Sequence, residues 1–320
     1  MVDSQKKQSV LVTGGAGFIG SQLVPALLKA GHTVAVVDNL SFGKREAVPA
    51  EARFFECDVR SAKLAHIFAL EKPQVVVHLA AQTNVRYSVT HPQDDADINI
   101  LGTLNVITQS RRYGIKKFVF ASSGGEVYGQ ANVLPTPENH PTRPKCPYGI
   151  TKLFGEQCLA HYGDEEGLDW VALRLANVYG PGQDGSRDIG IIAIALRKLN
   201  NGESIAKIGD WEQTRDFIYI DDTVEAFMKA MATDTQGWPA QDRLINIGTG
   251  QETSMAQLIE KLEAMTGRKL KISKVLAEVG APQRKSLNAA LAAKLLGWTP
   301  GTSLSEGLAA CAHELSAVSY

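Results

Sequence analysis

Ser9-Val10-Leu11-Val12-Thr13-Gly14-Gly15-Ala16-Gly17-Phe18-Ile19-Gly20 decides the fold of this chain. Residues 9–13 are mostly apolar and β-branched and predict a short buried strand. Gly14, Gly17 and Gly20 recur at three-residue spacing. Residues 21–30 then predict a helix with Leu23, Leu27 and Leu28 on one face, stopped by Gly31. A glycine-rich turn between strand and helix lets the backbone approach a pyrophosphate and offers it the free N–H groups of the helix N-terminus. Alone, such a triplet is weak evidence, and a tight turn without a ligand has the same letters. Here a second strand over 32–37 ends in Asp38, whose carboxylate suits the hydroxyls of an adenosine ribose and would repel a 2′-phosphate. The cofactor expected from these residues is NAD rather than NADP.

Strands and helices continue to alternate: strand 52–56, helix 61–70, strand 75–79, helix 97–113, strand 117–121, helix 148–163 and strand 170–174. This rhythm predicts an α/β fold, a Rossmann-type doubly wound parallel sheet, in which 75–79, apolar apart from His78, lies buried. Beyond Asn177 the strands shorten (204–208, 243–247) and helices are expected over 188–200, 220–233, 255–266 and 289–296. The expected organisation is a cofactor-binding domain over 1–176, to which some later segments return, and a smaller α/β substrate-binding lobe formed mainly by 177–320.

With 320 residues, 44% of them hydrophobic, the chain can bury a substantial core. A net charge of -1 gives no electrostatic reason to expect nucleic acid or an anionic membrane as partner. No apolar run approaches the roughly 20 residues that span a bilayer, and MVDSQKKQS lacks the apolar segment of a secretory signal. Cys57, Cys146, Cys158 and Cys311 are scattered without a CxxC pair. They argue against a metal site or a disulfide framework and for a reducing cytoplasm.

Tyr148 and Lys152, in YGITK, share one helical face. An ammonium beside a phenol stabilises phenolate and makes tyrosine a usable base. An isolated YxxxK is far more often a surface pair on one helical face. Here the strand FVFA upstream runs into Ser122-Ser123-Gly124-Gly125-Glu126. A hydroxyl at the carboxyl end of a parallel strand opens onto the ligand crevice, so Ser123 can bond the oxygen that Tyr148 deprotonates. Serines before glycines also suit a plain turn.

TGGAGFIG, VVDNLSFG, CDV, VVVHLAAQ, NILGT with Asn99, FASSGGEVYG, YGITK, LRLANVYGPGQ, TRDFIYIDD and LINIGTG together resemble the extended short-chain dehydrogenase/reductases of the NAD-dependent epimerase/dehydratase family, most like the UDP-glucose and UDP-N-acetylglucosamine 4-epimerases. The motifs run from about residue 9 to 298 and are specific as a set. The resemblance implies that Gly14, Gly17 and Gly20 hold the NAD pyrophosphate with the N–H groups of Phe18 and Ile19. It places Asp38 and Asn39 on the adenosine, Asp58 and Val59 beside the adenine, and Ala80 and Gln82 along the crevice. Tyr148 and Lys152 would contact the nicotinamide ribose. Asn177 and Arg215 match positions that hold a nucleotide-sugar diphosphate, and Arg284 resembles a further such arginine. A guanidinium suits a diphosphate, although Arg215 has Asp216, Asp221 and Asp222 nearby as alternative partners.

The implied reaction is C4 epimerisation of a UDP-hexose. Tyr148 takes the 4-hydroxyl proton with Ser123 on the same oxygen, the C4 hydride passes to NAD, and the 4-keto sugar turns over and takes it back. A 4,6-dehydratase or decarboxylase on the same scaffold, or a non-catalytic NAD-binding regulator, are the competing readings. Many family dehydratases carry Thr-Asp-Glu where Gly124, Gly125 and Glu126 stand here. The acid that would protonate a leaving C6 hydroxyl is missing, which favours epimerase. Glu126 is either a substrate contact or a carboxylate satisfied within the fold. Ser286 falls near a position where a small side chain admits an N-acetyl group, and a shift of one residue puts Lys285 there. The helices over 97–113 and 148–163 match those paired in family homodimers through a four-helix interface. Leu101, Leu104, Ile107, Leu153, Phe154 and Leu159 are the apolar residues available to that interface or to the core.

Overall fold

The computed structural model describes residues 7–187, 189–208, 211–276 and 283–317. The first half comprises β1 (Ser9–Thr13), α1 (Phe18–Lys29), β2 (Thr33–Asp38), β3 (Arg53–Glu56), α2 (Lys63–Glu71) and β4 (Val75–His78). Next come α3 (Val85–Thr90) and α4 (Pro92–Ala96), which passes through a π-helical turn at Asp97–Leu101 into α5 (Gly102–Arg112). They are followed by β5 (Lys117–Ser123), α6 (Gly124–Val127), α7 (Pro147–Glu166) and β6 (Trp170–Leu175).

The remainder contributes β7 (Asn177–Tyr179), α8 (Ile191–Asn201), β8 (Ser204–Ile208), β9 (Thr214–Arg215), β10 (Phe217–Tyr219), α9 (Ile220–Ala232) and β11 (Leu244–Ile247). It ends with β12 (Thr253–Ser254), α10 (Met255–Thr266), β13 (Lys271–Leu276), α11 (Ala290–Leu296) and α12 (Leu304–Ala317).

Seven strands form one parallel sheet in the order β11-β6-β5-β4-β1-β2-β3. Strand order reverses at β1, between β4 and β2, and the crevice at such a switch point is where open α/β sheets bind ligands. Alternation along the strands builds a layer on each face. Val10 and Val12 join Leu23 and Leu27 of α1 and Phe227 of α9, while Leu11 joins Phe68, Phe118 and Leu159. β11 and α9 lie beyond residue 177, yet both complete this body. A separate core unites Leu196 and Leu199 of α8, Leu258 and Leu262 of α10, and Leu308 of α12. Three two-stranded ribbons, β7–β10, β9–β12 and β8–β13, complete the strand pairing among the described residues. No helix among the described residues is long and apolar enough to cross a membrane.

Most element boundaries lie within three residues of expectation, and the differences have local causes. α1 starts at Phe18 because the turn ends at Gly17, the residue flanking the helix in extended conformation. The long helix expected over 97–113 is broken in character by its π turn. α7 extends to Glu166, where Gly167 (φ 69°) closes it in the left-handed conformation. Of the helix expected from 188, Asp188 lies outside the described residues and the helix begins at Ile191.

α7 is pinned to the sheet by buried charge. Glu156 accepts from Arg174 Nε at 2.9 Å and Nη2 at 2.6 Å, and also from the Ser122 hydroxyl. Arg174 Nη1 donates to the Tyr128 hydroxyl at 2.8 Å, which donates in turn to Asn246 Oδ1 at 2.8 Å. Glu156 and Arg174 are each 2% exposed. Removing one member of such a pair strands the other without water. Glu156→Ala is therefore expected to lower unfolding free energy by about 3–5 kcal/mol. The urea midpoint and slope measure it, and a loss below about 1 kcal/mol would show that the remaining partners satisfy Arg174.

Candidate active site

The turn after β1 is shaped by close approach. Gly14 has φ +70°, and a Cβ there would stand 2.6 Å from the Ala80 nitrogen at the end of β4. Gly14 N–H donates to Val37 O at 2.8 Å, and Gly17 N–H to Gly14 O at 3.1 Å. The first-turn N–H groups of α1, at Phe18 and Ile19, have no helical acceptor. This cradle fits a pyrophosphate, because it combines missing side chains with outward N–H donors.

Asp38 is buried at the end of β2. Its Oδ2 accepts from Ala16 N–H at 3.0 Å and its Oδ1 from Leu40 N–H at 2.8 Å. A carboxylate offers about four acceptor sites, so ribose hydroxyls can still be accommodated. Asn39 Nδ2 donates to Asp58 Oδ2 at 2.9 Å, and Arg60 holds Asp58 well below the usual carboxylate range. Val59 is buried against Gly102. Residues 14–20, 38, 39, 58, 59 and 80 thus gather along the carboxyl edge of β1, β2 and β4, and the donor set fits an adenine dinucleotide.

Gln82 belongs to a network that motif reading did not resolve. Its Nε2 donates to Asp95 Oδ1 at 2.6 Å, and its N–H to Asn99 Oδ1 at 2.8 Å. Asn99 Nδ2 donates to Gln82 O at 3.0 Å, Asp95 Oδ1 at 3.2 Å and Thr151 Oγ1 at 3.2 Å, and the Thr151 hydroxyl donates to Asp95 Oδ2 at 2.9 Å. Burial raises the Asp95 carboxyl while these donors lower it. The π turn sets Asn99 facing α7. The four-residue spacing of Asp95 and Asn99 was the available signal.

Tyr148 and Lys152 lie on the buried face of α7, as their spacing requires. Lys152 Nζ donates to Ala121 O at 2.9 Å and sits 5.9 Å from the Tyr148 ring centroid. Burial lowers its ammonium to about 8, with Asp95 and Glu156 opposing. Tyr148 moves the other way from the sequence expectation. Burial raises its phenol first and the Glu126 charge adds to it, while a hydrogen bond with Ser123 opposes them.

The structure separates the remaining candidates. Glu126 is ion-paired with Lys285, both buried. Asn177 opens β7 and is exposed, its N–H donating to Asp216 O at 2.9 Å. Arg215 Nη1 donates to Thr214 O at 2.8 Å. Two of the carboxylates considered as its partners are directed elsewhere: Asp216 accepts from Thr249, Gly250 and Leu287, and Asp222 from the N–H groups of Gly301 and Thr302. The Arg284 guanidinium is engaged by Glu252, and its side chain is 60% exposed. Ser286 is 1% exposed. Its Oγ is buried without a hydrogen-bond partner beside Gly124, Gly129 and Thr136, and Lys285 is the residue that reaches Glu126. Of the interface candidates, Ile107 and Leu159 are core and Leu153 packs on the cluster of Val127, Tyr128 and Leu287. Leu101 is 55% exposed, and Ile150, which the sequence reading passed over, is 54% exposed. Among the described residues no cluster of three metal-ligating side chains occurs, and the four cysteines are free.

The chain matches relatives along nearly its whole length. It is 38% identical over 305 residues to the UDP-glucose 4-epimerase of Mycolicibacterium smegmatis, covering 93% of this chain and 96% of that protein. It superposes with a TM-score of 0.92 and 40% identity on the structure of a UDP-glucose 4-epimerase with UDP-glucose from Thermotoga maritima, covering 96% of this chain and 98% of the other. A Thermus thermophilus UDP-glucose 4-epimerase in complex with NAD gives a TM-score of 0.90 at 35% identity, covering 97% and 99%. The family model of the NAD dependent epimerase/dehydratase family matches residues 10–248, and with this cradle, strand-end serine and Tyr-Lys face in place the chain belongs to that family.

Proposed function

We propose that this protein is an NAD-dependent UDP-hexose 4-epimerase working through a transient 4-keto sugar. The observation that carries the reading is the placement of Tyr148 and Lys152 on the buried face of α7, with Lys152 bonded to Ala121 O of β5, the strand that ends in Ser123. Whole-length similarity to UDP-glucose 4-epimerases supports the substrate class.

Gly14, Gly17, Gly20 and the N–H groups of Phe18 and Ile19 hold the pyrophosphate of NAD. Asp38 and Asn39 hold the adenosine ribose, Asp58 and Val59 border the adenine, and Ala80 and Gln82 line the path to the nicotinamide. Lys152, with Tyr148, binds the nicotinamide ribose. Bound NAD supplies a positive charge beside the phenol and a place for the C4 hydride to go and return from. Tyr148 takes the proton of the sugar 4-hydroxyl and later gives it back, and Ser123 holds that oxygen. Asn177 and Arg215 grip the diphosphate while the sugar turns. Gly125 has no side chain to protonate a leaving C6 hydroxyl, so the dehydratase reading is the weaker one. In this assignment residues 1–176, with the returning segments, serve the cofactor and 177–320 mainly serve the nucleotide sugar. The free cysteines suit a reducing cytoplasm. A homodimer through α5 and α7, with Leu101, Leu104, Ile150 and Phe154 at its centre, would cover the exposed apolar residues on these helices.

The test is proton NMR of the purified protein with UDP-glucose, then with UDP-N-acetylglucosamine. Anomeric signals of the galacto isomer are expected with at least one of them. No change in either with NAD added would overturn the reading. Tyr148→Phe is expected to cut turnover by about 10²–10⁴-fold with nucleotide-sugar binding retained, as measured by the same assay and by calorimetry. Near-normal turnover would remove the phenol from the chemistry. Ile150→Glu is expected to shift sedimentation from dimer towards monomer at micromolar concentration, and a monomeric parent protein would sink the dimer.

A further inference from the structure

Glu126 and Lys285 meet across 159 residues of sequence. Each residue is 8% exposed. The contact is built from both sides. A Cβ on Gly125 would stand 3.6 Å from Lys285 Cδ and 3.7 Å from its Nζ, and one on Gly124 would overlap Leu287 Cδ1 at 2.4 Å. The missing side chain of Gly124 is what lets Leu287 lie against this turn, and Lys285 passes Gly125 at ordinary contact distance. Glu126 Oε2 also accepts from the Cys146 thiol at 3.6 Å, two residues before Tyr148.

The pair stands beside the start of α7: a Cβ on Gly149, the residue after Tyr148, would lie 2.7 Å from the Glu126 carbonyl oxygen. The charge on Glu126 acts on Tyr148, and the charge on Arg215 acts on Lys285. In the epimerase reading, on which this inference rests, the sugar ring spans the space between Tyr148 at C4 and Arg215 at the diphosphate. Glu126 and Lys285 then form the wall along which the ring turns. A carboxylate accepts hydrogen bonds from sugar hydroxyls, which can donate, whereas the carboxylate of an acidic sugar can only accept. Lys285 is already neutralised by Glu126 and has no net charge to offer such a group. The pair as a whole is neutral, so nothing in this wall offsets the cost of taking an acidic sugar's carboxylate out of water.

We propose that the Glu126–Lys285 pair is a charge filter for the sugar, admitting neutral hexoses and rejecting UDP-hexuronates. The two halves of the pair then act with opposite sign. Glu126→Gln keeps the shape and leaves Lys285 as an uncompensated cation, which favours an acidic sugar. Lys285→Met leaves the carboxylate, which disfavours it further.

UDP-galactose and UDP-galacturonate are the probes, read by kcat/KM from NMR and by Kd from calorimetry. In the parent protein the neutral sugar is expected to be preferred by about 100-fold or more. Glu126→Gln is expected to narrow that gap by at least about tenfold and Lys285→Met to leave or widen it. Equal handling of the two sugars by the parent protein overturns the filter, as does a shift of both variants in the same direction, which a purely structural pair would produce. If neither sugar is turned over, the epimerase reading fails. The Kd ratio still decides the filter in that case, and it needs only the parent protein should a variant not fold.

Discussion

Lys152 is an ammonium buried under α7 with a single carbonyl, Ala121 O, as its short hydrogen-bond partner. Burying such a charge is costly unless opposite charge stands near. Two polar networks flanking α7 meet that need. On one side Asp95 is held by Gln82, Asn99 and Thr151. On the other Glu156 is held by Ser122 and Arg174, which extends through Tyr128 to Asn246 on β11. Both carboxylates raise Lys152 against the larger effect of burial. The π turn before α5, the buried arginine of β6 and the return of β11 to the sheet all contribute to keeping this one charge in a dry place.

The same dryness governs Tyr148. A phenol in this site gains nothing from water, and the nearest negative charge, on Glu126, makes ionisation harder still. The protein therefore does not carry a ready phenolate. Its positive groups are committed: Lys152 to the carbonyl of β5, Lys285 to Glu126, Arg174 to Glu156. Positive charge brought beside the phenol, as a bound cationic cofactor would bring it, works against this upward shift and favours proton removal.

What was legible in the sequence follows from what is local. β1, the glycine turn, the acid ending β2 and the Tyr-Lys spacing are each set within a few residues, and each stands where its letters place it. Contacts between distant segments were not legible. Glu126 has one meaning as an isolated carboxylate and another beside Lys285, and no pattern in GGEVYG announces a partner 159 residues on. Arg284 reads as an anion ligand until Glu252 is found against it. Apolar periodicity marked Ile107 and Leu159 as helix-face residues but could not say which face was core, and it passed over Ile150, whose exposure is decided by tertiary packing.

The segment from 284 to 287 shows how this distant information is used. Successive side chains of an extended segment point in different directions. Arg284 is held at the surface by Glu252, Lys285 enters the cleft to Glu126, and Leu287 packs on Val127 and Tyr128 while its N–H donates to Asp216 at 3.1 Å. Asp216 in turn accepts from Thr249 and Gly250 and neighbours Arg215 in the chain. One short stretch thereby joins the SSGGE turn of the sheet body to the β9 strand that carries Arg215. Lys285 and Asp216 are thereby tied to the same buried leucine, Leu287, which lies two residues after the one and donates its N–H to the other. In the proposed reaction such an arrangement would let the wall stay fixed while the ring turns against it, because both anchors are contacts within the protein.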